Sequence, residues 1–138
     1  MSYTNVEYFL DTNLLVYGHT NLDKSKQQVA AQIIQHHEVI ISTQVMQEFI
    51  NVLVKKFKTP WATVRHLVQQ VQLNCHIHTN SISTIETAAQ IAERYKFSFY
   101  DSLIVAAALE TGATTLYLED LQDQQLIDKR LLVVNPFK

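Results

Sequence analysis

The chain has 138 residues, of which 47% are hydrophobic and 17% charged, and its formal net charge is −2. This composition excludes a disordered chain, and the length fits one domain with a buried core, so we expect residues 1–138 to form a single domain. The charge balance excludes a general basic field, so any binding of nucleic acid must rely on local basic residues or on metal ions.

The cellular compartment is indicated by the lone cysteine and by the N-terminus. Cys75 has no second cysteine with which to form an internal disulfide or a zinc site. The N-terminus has no charged leader before a long apolar segment, and no apolar run reaches the roughly 18 residues of a membrane span. We therefore expect a soluble, cytoplasmic protein that has no membrane partner.

Short apolar runs typical of strands alternate along the chain with longer helical patterns. The runs that predict strands are Val6–Leu10, Val39–Ser42, Cys75–Thr79, Thr115–Leu118 and Leu131–Val134. This alternation predicts an α/β fold in which helices cover both faces of a parallel sheet of four to five strands.

Three helices have marked boundaries. The dipeptide Thr59-Pro60 predicts an N-cap followed by proline at the first helical position, for a helix from Trp61 to about Leu73. The capping-box pattern Ser83–Glu86 predicts a helix that ends near Tyr95. The segment 101–111 is apolar nearly all round and is followed by a glycine, so it predicts a central, buried helix.

Four acids stand in apolar surroundings, and each has a structural explanation of its own. Asp11 and Asp120 each follow a predicted strand and could cap a following helix, as could Glu119. Asp101 begins the apolar helix, where the helix dipole favours an acid. Glu48 lies at the edge of the apolar stripe of "STQVMQEFINVLVKKF" and could keep its head in water.

Taken together, these acids favour a functional site. The ends of parallel strands meet at one edge of a sheet, so the aspartates can come together there while Glu48 reaches in from its helix. Unpaired carboxylates in one place repel one another unless cations are bound. Oxygen ligands without a His or Cys cluster suit Mg²⁺ or Mn²⁺. The set therefore predicts metal-assisted hydrolysis of phosphodiester bonds.

Five stretches also carry a family resemblance. They are "FLDTNLLVY", "ISTQVMQEFINVL", "FSFYDSLIVAAAL", "TLYLEDLQ" and "VVNPF", and they extend in order over almost the whole chain. With them the sequence resembles the PIN-domain ribonucleases, the family that includes the VapC-type toxins of toxin–antitoxin pairs. The resemblance implies a three-layer α/β/α sandwich and a Mg²⁺- or Mn²⁺-dependent endoribonuclease. It also implies a cognate antitoxin, and it is compatible with a homodimer.

The resemblance assigns roles by matching position. The implied catalytic acids are Asp11, Glu48, Asp101 and Asp120. The three aspartates would bind the metal directly, and Glu48 would bind it directly or through water. Asn13 could orient a ligand or a water, or simply begin a helix. The chain departs from its relatives at Leu118, where a small hydroxyl residue is common, and at Asp123, where a histidine is common.

Alternatives remain for the basic residues and for the function. Lys55 and Lys56 could contact RNA phosphates, or they could form a solvated helix end. The protein could be a non-catalytic RNA-binding or protein-interaction domain that keeps the same fold. A phosphatase of the haloacid dehalogenase type is a third hypothesis, but those enzymes usually need an acid at the position of Asn13.

Overall fold

The structure, a computed structural model, describes residues 8–138. Its strands are β1 (Tyr8–Leu10), β2 (Val39–Ser42), β3 (Cys75–His78), β4 (Thr115–Tyr117), β5 (Leu126–Ile127) and β6 (Leu131–Val134). Its helices are α1 (Thr12–His19), α2 (Lys24–His36), α3 (Thr43–Lys55), α4 (Trp61–Asn74), α5 (Ile82–Tyr95) and α6 (Phe99–Glu110). The predicted start of the first strand, at Val6, lies outside the described residues.

All the strands belong to one sheet, in the order β3-β2-β1-β4-β6-β5. The pairings from β3 across to β6 are parallel, and β5 adds to the edge in antiparallel orientation. The prediction of an α/β fold with a parallel sheet is confirmed. The edge strand β5 was not predicted, because two residues are too few to show a period of alternation.

The connections place helices on both faces of the sheet. The chain moves outward from β1 to β2 to β3, then returns past β1 to reach β4. Right-handed crossovers in opposite directions put their helices on opposite faces. The contacts agree, since α1 packs against both α2 and α3, and α3 packs against α4, while α5 packs against α6. This arrangement is the predicted three-layer α/β/α sandwich.

The core lies between the central strands and the helices that cover them. Every residue of β2 is buried, as expected for a strand covered on both faces. In α6, residues 102–109 are all buried, which confirms the prediction of a central, apolar helix. None of the described helices is long and apolar enough to span a membrane.

The predicted N-caps of α4 and α5 differ from those in the structure. Helix α4 has Pro60 rather than Thr59 at its N-cap position, without a side-chain cap. Helix α5 begins at Ile82 because the capping box is formed by Ser81 and Thr84 rather than by Ser83–Glu86. The Ser81 backbone N–H donates to the Thr84 hydroxyl over 3.0 Å, so a threonine takes the part expected of a glutamate.

Residues 118–125, after β4, form a loop and not the short helix that a capping role for Asp120 would require. Gln124 adopts a positive φ of 67°, and its N–H donates to the Val133 carbonyl over 2.8 Å. The loop leads into the hairpin of β5 and β6, and two of the three turn residues, Asp128 and Lys129, have positive φ. Asp128 is held there by the Tyr95 hydroxyl, which lies 2.9 Å from its carboxylate.

Candidate acidic active site

A cavity of about 350 Å³ opens at the carboxyl end of the sheet. The residues that line it are Asp11, Thr12, Asn13, Gln44, Glu48, Asn51, Val52, Tyr100, Asp101, Ile104 and Asp120. The structure thus brings together the four acids that the sequence indicated, and it places Asn13 beside them. Their chemical roles stay predictions.

The topology of the sheet explains why Asp11 and Asp120 meet. Strands β1 and β4 are neighbours, and the chain leaves them toward opposite edges of the sheet. In open α/β sheets, ligands bind at such a reversal, just beyond the strand ends. The Asp11 N–H donates to the Tyr117 carbonyl over 3.1 Å, which fixes the end of β1 against the end of β4. Asp120 follows Tyr117 by three residues.

Asp11 occupies the N-cap position of α1 but does not cap it with its side chain. The residue is buried, with 6% of its surface exposed. Burial raises the pKa of its carboxyl from 3.8 to about 7, and repulsion from Asp120, Glu48 and Asp101 adds to the effect. The Thr12 N–H opposes the rise. The structure therefore does not support the capping explanation, and the carboxyl faces other acids.

Glu48 is held by hydrogen bonds on both carboxylate oxygens. The Thr12 hydroxyl donates to Oε1 over 2.6 Å, and Gln44 Nε2 lies 3.4 Å from Oε2. Gln44 Nε2 also donates to the Tyr100 carbonyl over 3.1 Å. The explanation of Glu48 as an acid at the rim with its head free in water is therefore wrong. Its carboxylate is fixed between the starts of α1 and α3.

Asp101 lies in the first turn of α6, where Ser98 is the N-cap. The Asp101 N–H donates to the Ser98 hydroxyl over 3.2 Å, so the cap uses the backbone of Asp101. The carboxylate lines the cavity instead. A helix-start preference can still favour an acid at this position, but the cap leaves the side chain available for other chemistry.

Asp120 and its neighbour Glu119 have different surroundings. The Glu119 carboxylate accepts hydrogen bonds from Lys26 Nζ and, over 2.9 Å, from the Tyr17 hydroxyl. Asp120 is exposed and lines the cavity. Its pKa is raised by the partial desolvation of its carboxyl beside the cavity wall and by repulsion from Asp101 and Glu119, while Lys26 lowers it. Of the two adjacent acids, Glu119 thus has a structural explanation, and Asp120 belongs to the cavity.

The two predicted RNA-contacting lysines do not line the cavity. Lys55 and Lys56 are exposed at the end of α3, where Lys56 is the C-cap residue. Lys55 follows Glu48 by seven residues, which places it on the same side of α3 about 10 Å farther along the axis. A contact between these lysines and RNA beyond the cavity stays a prediction.

The sequence did not predict six of the lining residues, of which Val52 and Ile104 are apolar and Thr12, Gln44, Asn51 and Tyr100 are polar. A signal existed for two of them. Thr12 stands between Asp11 and Asn13, so a site at the end of β1 that includes these two residues also includes Thr12. Gln44 precedes Glu48 by one helical turn, so its side chain lies beside that of Glu48 on the same helix face. The Tyr100 carbonyl accepts a hydrogen bond from Gln44, and no side-chain pattern reveals a contact made by the backbone.

The two departures from the expected family pattern lie outside the cavity. Leu118 is fully buried in the core. Asp123 accepts a hydrogen bond from the Asn135 N–H over 2.8 Å and so ties the loop after β4 to the end of β6. Neither residue is among those that line the cavity, so the acidic site is built without a hydroxyl or a histidine at these positions.

The donor chemistry of the cavity fits a hard divalent cation. Its acids offer oxygen ligands only, and burial of Asp11 among other acids raises the energy of its charged form, which a cation would lower. Within residues 8–138, no three His, Cys, Asp or Glu side chains lie close enough to hold one ion between them. Mg²⁺ does not need such a group, because it keeps several waters and is often bound through one or two carboxylates.

Comparisons with known proteins found structures with a similar fold. Three similar structures are those of the Mycobacterium tuberculosis VapC20, a sarcin-ricin loop cleaving toxin, of VapBC2 from Rickettsia felis bound to a promoter DNA fragment, and of a toxin–antitoxin complex from Klebsiella pneumoniae. Their sequence identities are 18%, 19% and 23%, with TM-scores of 0.69, 0.67 and 0.68. The alignments cover 83%, 93% and 94% of this chain and 90%, 97% and 98% of those chains.

At these identities the likeness shows a shared fold. No curated protein was found to match the chain significantly in sequence. Residues 8–127 match the PIN domain family, a range that runs from β1 to β5 and contains all four acids of the cavity. The resemblance read from the sequence motifs is thereby confirmed, and the chain belongs to the PIN-domain family.

Proposed function

We propose that this protein is a divalent-metal-dependent endoribonuclease that acts as the toxin of a toxin–antitoxin pair. The observation that carries the proposal is the convergence of four carboxylates on one cavity, where the pKa of Asp11 is raised to about 7. Family membership supports it, as does the likeness to a structure described as a sarcin-ricin loop cleaving toxin.

The proposed roles follow from the surroundings of each acid. Asp11, Asp101 and Asp120 would hold the cation, directly or through its waters. A bound Mg²⁺ or Mn²⁺ supplies an activated water and offsets negative charge on the phosphate. Glu48, which Thr12 and Gln44 hold in one orientation, would bind the cation or orient one of its waters. The half-buried Asn13 lines the same cavity and would orient a ligand or the substrate.

The partners belong to the same proposal. We expect RNA to cross the cavity and to reach Lys55 and Lys56, and we expect a cognate antitoxin to silence the enzyme. Structures of toxin–antitoxin complexes among the similar folds support the second expectation. Co-purification with the product of an adjacent small reading frame would test for the antitoxin, and sedimentation of the purified protein would test for a homodimer. The site of action would be the cytoplasm, where RNA is available.

Cleavage of total RNA with mapped ends tests the enzymatic part. With Mg²⁺ or Mn²⁺, we expect the wild-type protein to cut and Asp101→Asn to lose about 100-fold or more in rate. Asp23→Asn is a matched control, because it makes the same chemical change at an N-cap of α2, where asparagine caps equally well.

Two results would contradict the proposal. One is that the wild type cuts no RNA with either ion. The other is that Asp101→Asn cuts as fast as the control. Either result would favour the non-catalytic RNA-binding or protein-interaction domain, which keeps the fold and has no need of the acids.

A further inference from the structure

Tyr100 is an exposed aromatic residue at the edge of the acidic cavity. Several large hydrophobic side chains are exposed within residues 8–138, and Tyr100 is the one among them that lines this cavity. Single exposed apolar residues are common on protein surfaces and need no explanation of their own. Tyr100 differs in its position, because 65% of its surface is exposed and the next residue in the chain is Asp101. An open aromatic surface therefore borders the carboxylates.

The backbone that carries this ring is fixed at the start of α6. The Tyr100 carbonyl accepts a hydrogen bond from Gln44 Nε2 over 3.1 Å, and the Asp101 N–H donates to the Ser98 hydroxyl over 3.2 Å. The ring meets that of Phe99 edge to face, with 5.5 Å between the centroids and 71° between the planes. Such a contact covers at most one face of the Tyr100 ring. The ring is thus supported from within the protein, while most of it stays open.

The charge of the cavity makes an uncharged contact useful to the substrate. RNA that approaches the cavity meets four carboxylates on a chain whose net charge is −2, so its phosphates are repelled wherever no cation lies between. Stacking of a base on an aromatic ring adds affinity without using charge. It also accepts any base, because every base has a π face.

We propose that Tyr100 stacks on an unpaired base of the RNA, next to the phosphate that enters the cavity. A base inside a duplex is covered on both faces by its neighbours, so a free face requires an unpaired nucleotide. This inference rests on the proposed function in that it takes RNA as the substrate. It narrows the substrate class to RNA that is unpaired at the cut site, and it makes Tyr100 a residue that determines specificity.

The first test measures binding of a short single-stranded RNA of random sequence. All the proteins also carry Asp101→Asn, so that the RNA stays intact. Tyr100→Ala should bind about tenfold more weakly than this parent, whereas Tyr100→Phe keeps the ring and should bind as the parent does. Trp61→Ala is the matched control, because Trp61 is 62% exposed and lies outside the cavity lining, so its loss should not change the affinity. If Tyr100→Ala does not fold, Tyr100→Leu, which is apolar but has no ring, replaces it.

Two further measurements separate stacking from a structural role. An oligomer of the same length that has the sugar–phosphate backbone but no bases should bind equally well to the parent and to Tyr100→Ala, because it offers nothing to stack. The slope of log affinity against log salt should be the same for both proteins, since the ring carries no charge. In total RNA, the mapped ends made by the wild type should lie beside unpaired nucleotides.

Several results would overturn the proposal. They are an unchanged RNA affinity of Tyr100→Ala, an equal loss of affinity for the oligomer without bases, and cuts by the wild type within duplex RNA. If Tyr100→Ala keeps its RNA affinity but no longer co-purifies with an antitoxin, the ring binds a protein and the proposal is wrong.

The failure of this inference and that of the proposed function give different results. If the wild type cuts RNA and Tyr100→Ala cuts it equally fast, stacking fails and the proposed function stands. If the wild type cuts no RNA but its RNA affinity depends on the Tyr100 ring and on the bases, the proposed function fails and stacking stands.

Discussion

Replacing Asp11 with asparagine should stabilise the metal-free protein, and more so as the pH rises. The pKa of the Asp11 carboxyl is raised from 3.8 to about 7 in the folded state. One pKa unit corresponds to about 1.36 kcal/mol, so the charged carboxylate costs the folded state about 4 kcal/mol above pH 7. Asparagine has nearly the same shape and carries no charge. Asp11→Asn should therefore recover most of that free energy of unfolding.

The sign of the pH dependence follows from where the proton is held more tightly. The folded state binds the proton of Asp11 more tightly than the unfolded state, so the penalty is absent below about pH 4, grows as the pH rises and levels off above about pH 7. Between Asp11→Asn and the wild type, we expect a gap in the free energy of unfolding of about 1.5 kcal/mol at pH 5 and about 4 kcal/mol at pH 8.

Urea unfolding at the two pH values, with EDTA present throughout, measures this gap. Asp23→Asn is the matched control, because hydrogen bonds to Lys26 N–H and Ser25 lower the pKa of Asp23 and its charge does not destabilise the fold. Adding Mn²⁺ should reverse the order of stabilities, since the ion stabilises only the protein that binds it. A gap that stays constant between pH 5 and pH 8, or a less stable Asp11→Asn at pH 8, would refute the reasoning.

Three further substitutions have defined outcomes. Lys26→Met should raise the pKa of Asp120, because Lys26 lowers it, and carboxyl titration by nuclear magnetic resonance would detect the change. Lys55→Gln should weaken RNA binding evenly across sequences and reduce the slope of log affinity against log salt by about 1; an unchanged slope would remove this lysine from the RNA path. Gly112→Ala should destabilise the fold by about 1 kcal/mol in urea unfolding, because Gly112 has a φ of +77°.

The parts of the fold that carry periodic apolar patterns could be predicted from the sequence. Helix α6 is apolar nearly all round and is buried, and the runs at β2 and β6 form strands with the predicted bounds. Two features were not predicted correctly: strand β5, which depends on a contact with another strand, and the start of α5, which depends on an unusual capping residue. Strand β5 exists because Leu126 and Ile127 pair with β6, and the start of α5 depends on a threonine that acts in a capping box.

The sequence predicted the acids of the site, but it did not predict the hydrogen bonds that hold them in place. Asp11 and Asp120 follow strands, and parallel strands end at one edge, so their meeting follows from topology. Glu48 was different, because its fixed orientation depends on Thr12 in α1 and on Gln44, which also reaches the Tyr100 carbonyl. Such contacts depend on how α1, α3 and α6 approach one another, and a one-dimensional pattern does not contain that information.

The order of the acids along the chain has a consequence for synthesis. Asp11 and Glu48 are translated early, whereas Asp120 comes late and reaches the cavity only after β4 has paired with β1. Contacts this distant in sequence form slowly and need nearly the whole chain. A nascent chain that ends before Asp101 therefore carries two of the four carboxylates but has no assembled cavity. The completion of the sheet sets the moment at which the protein can become active.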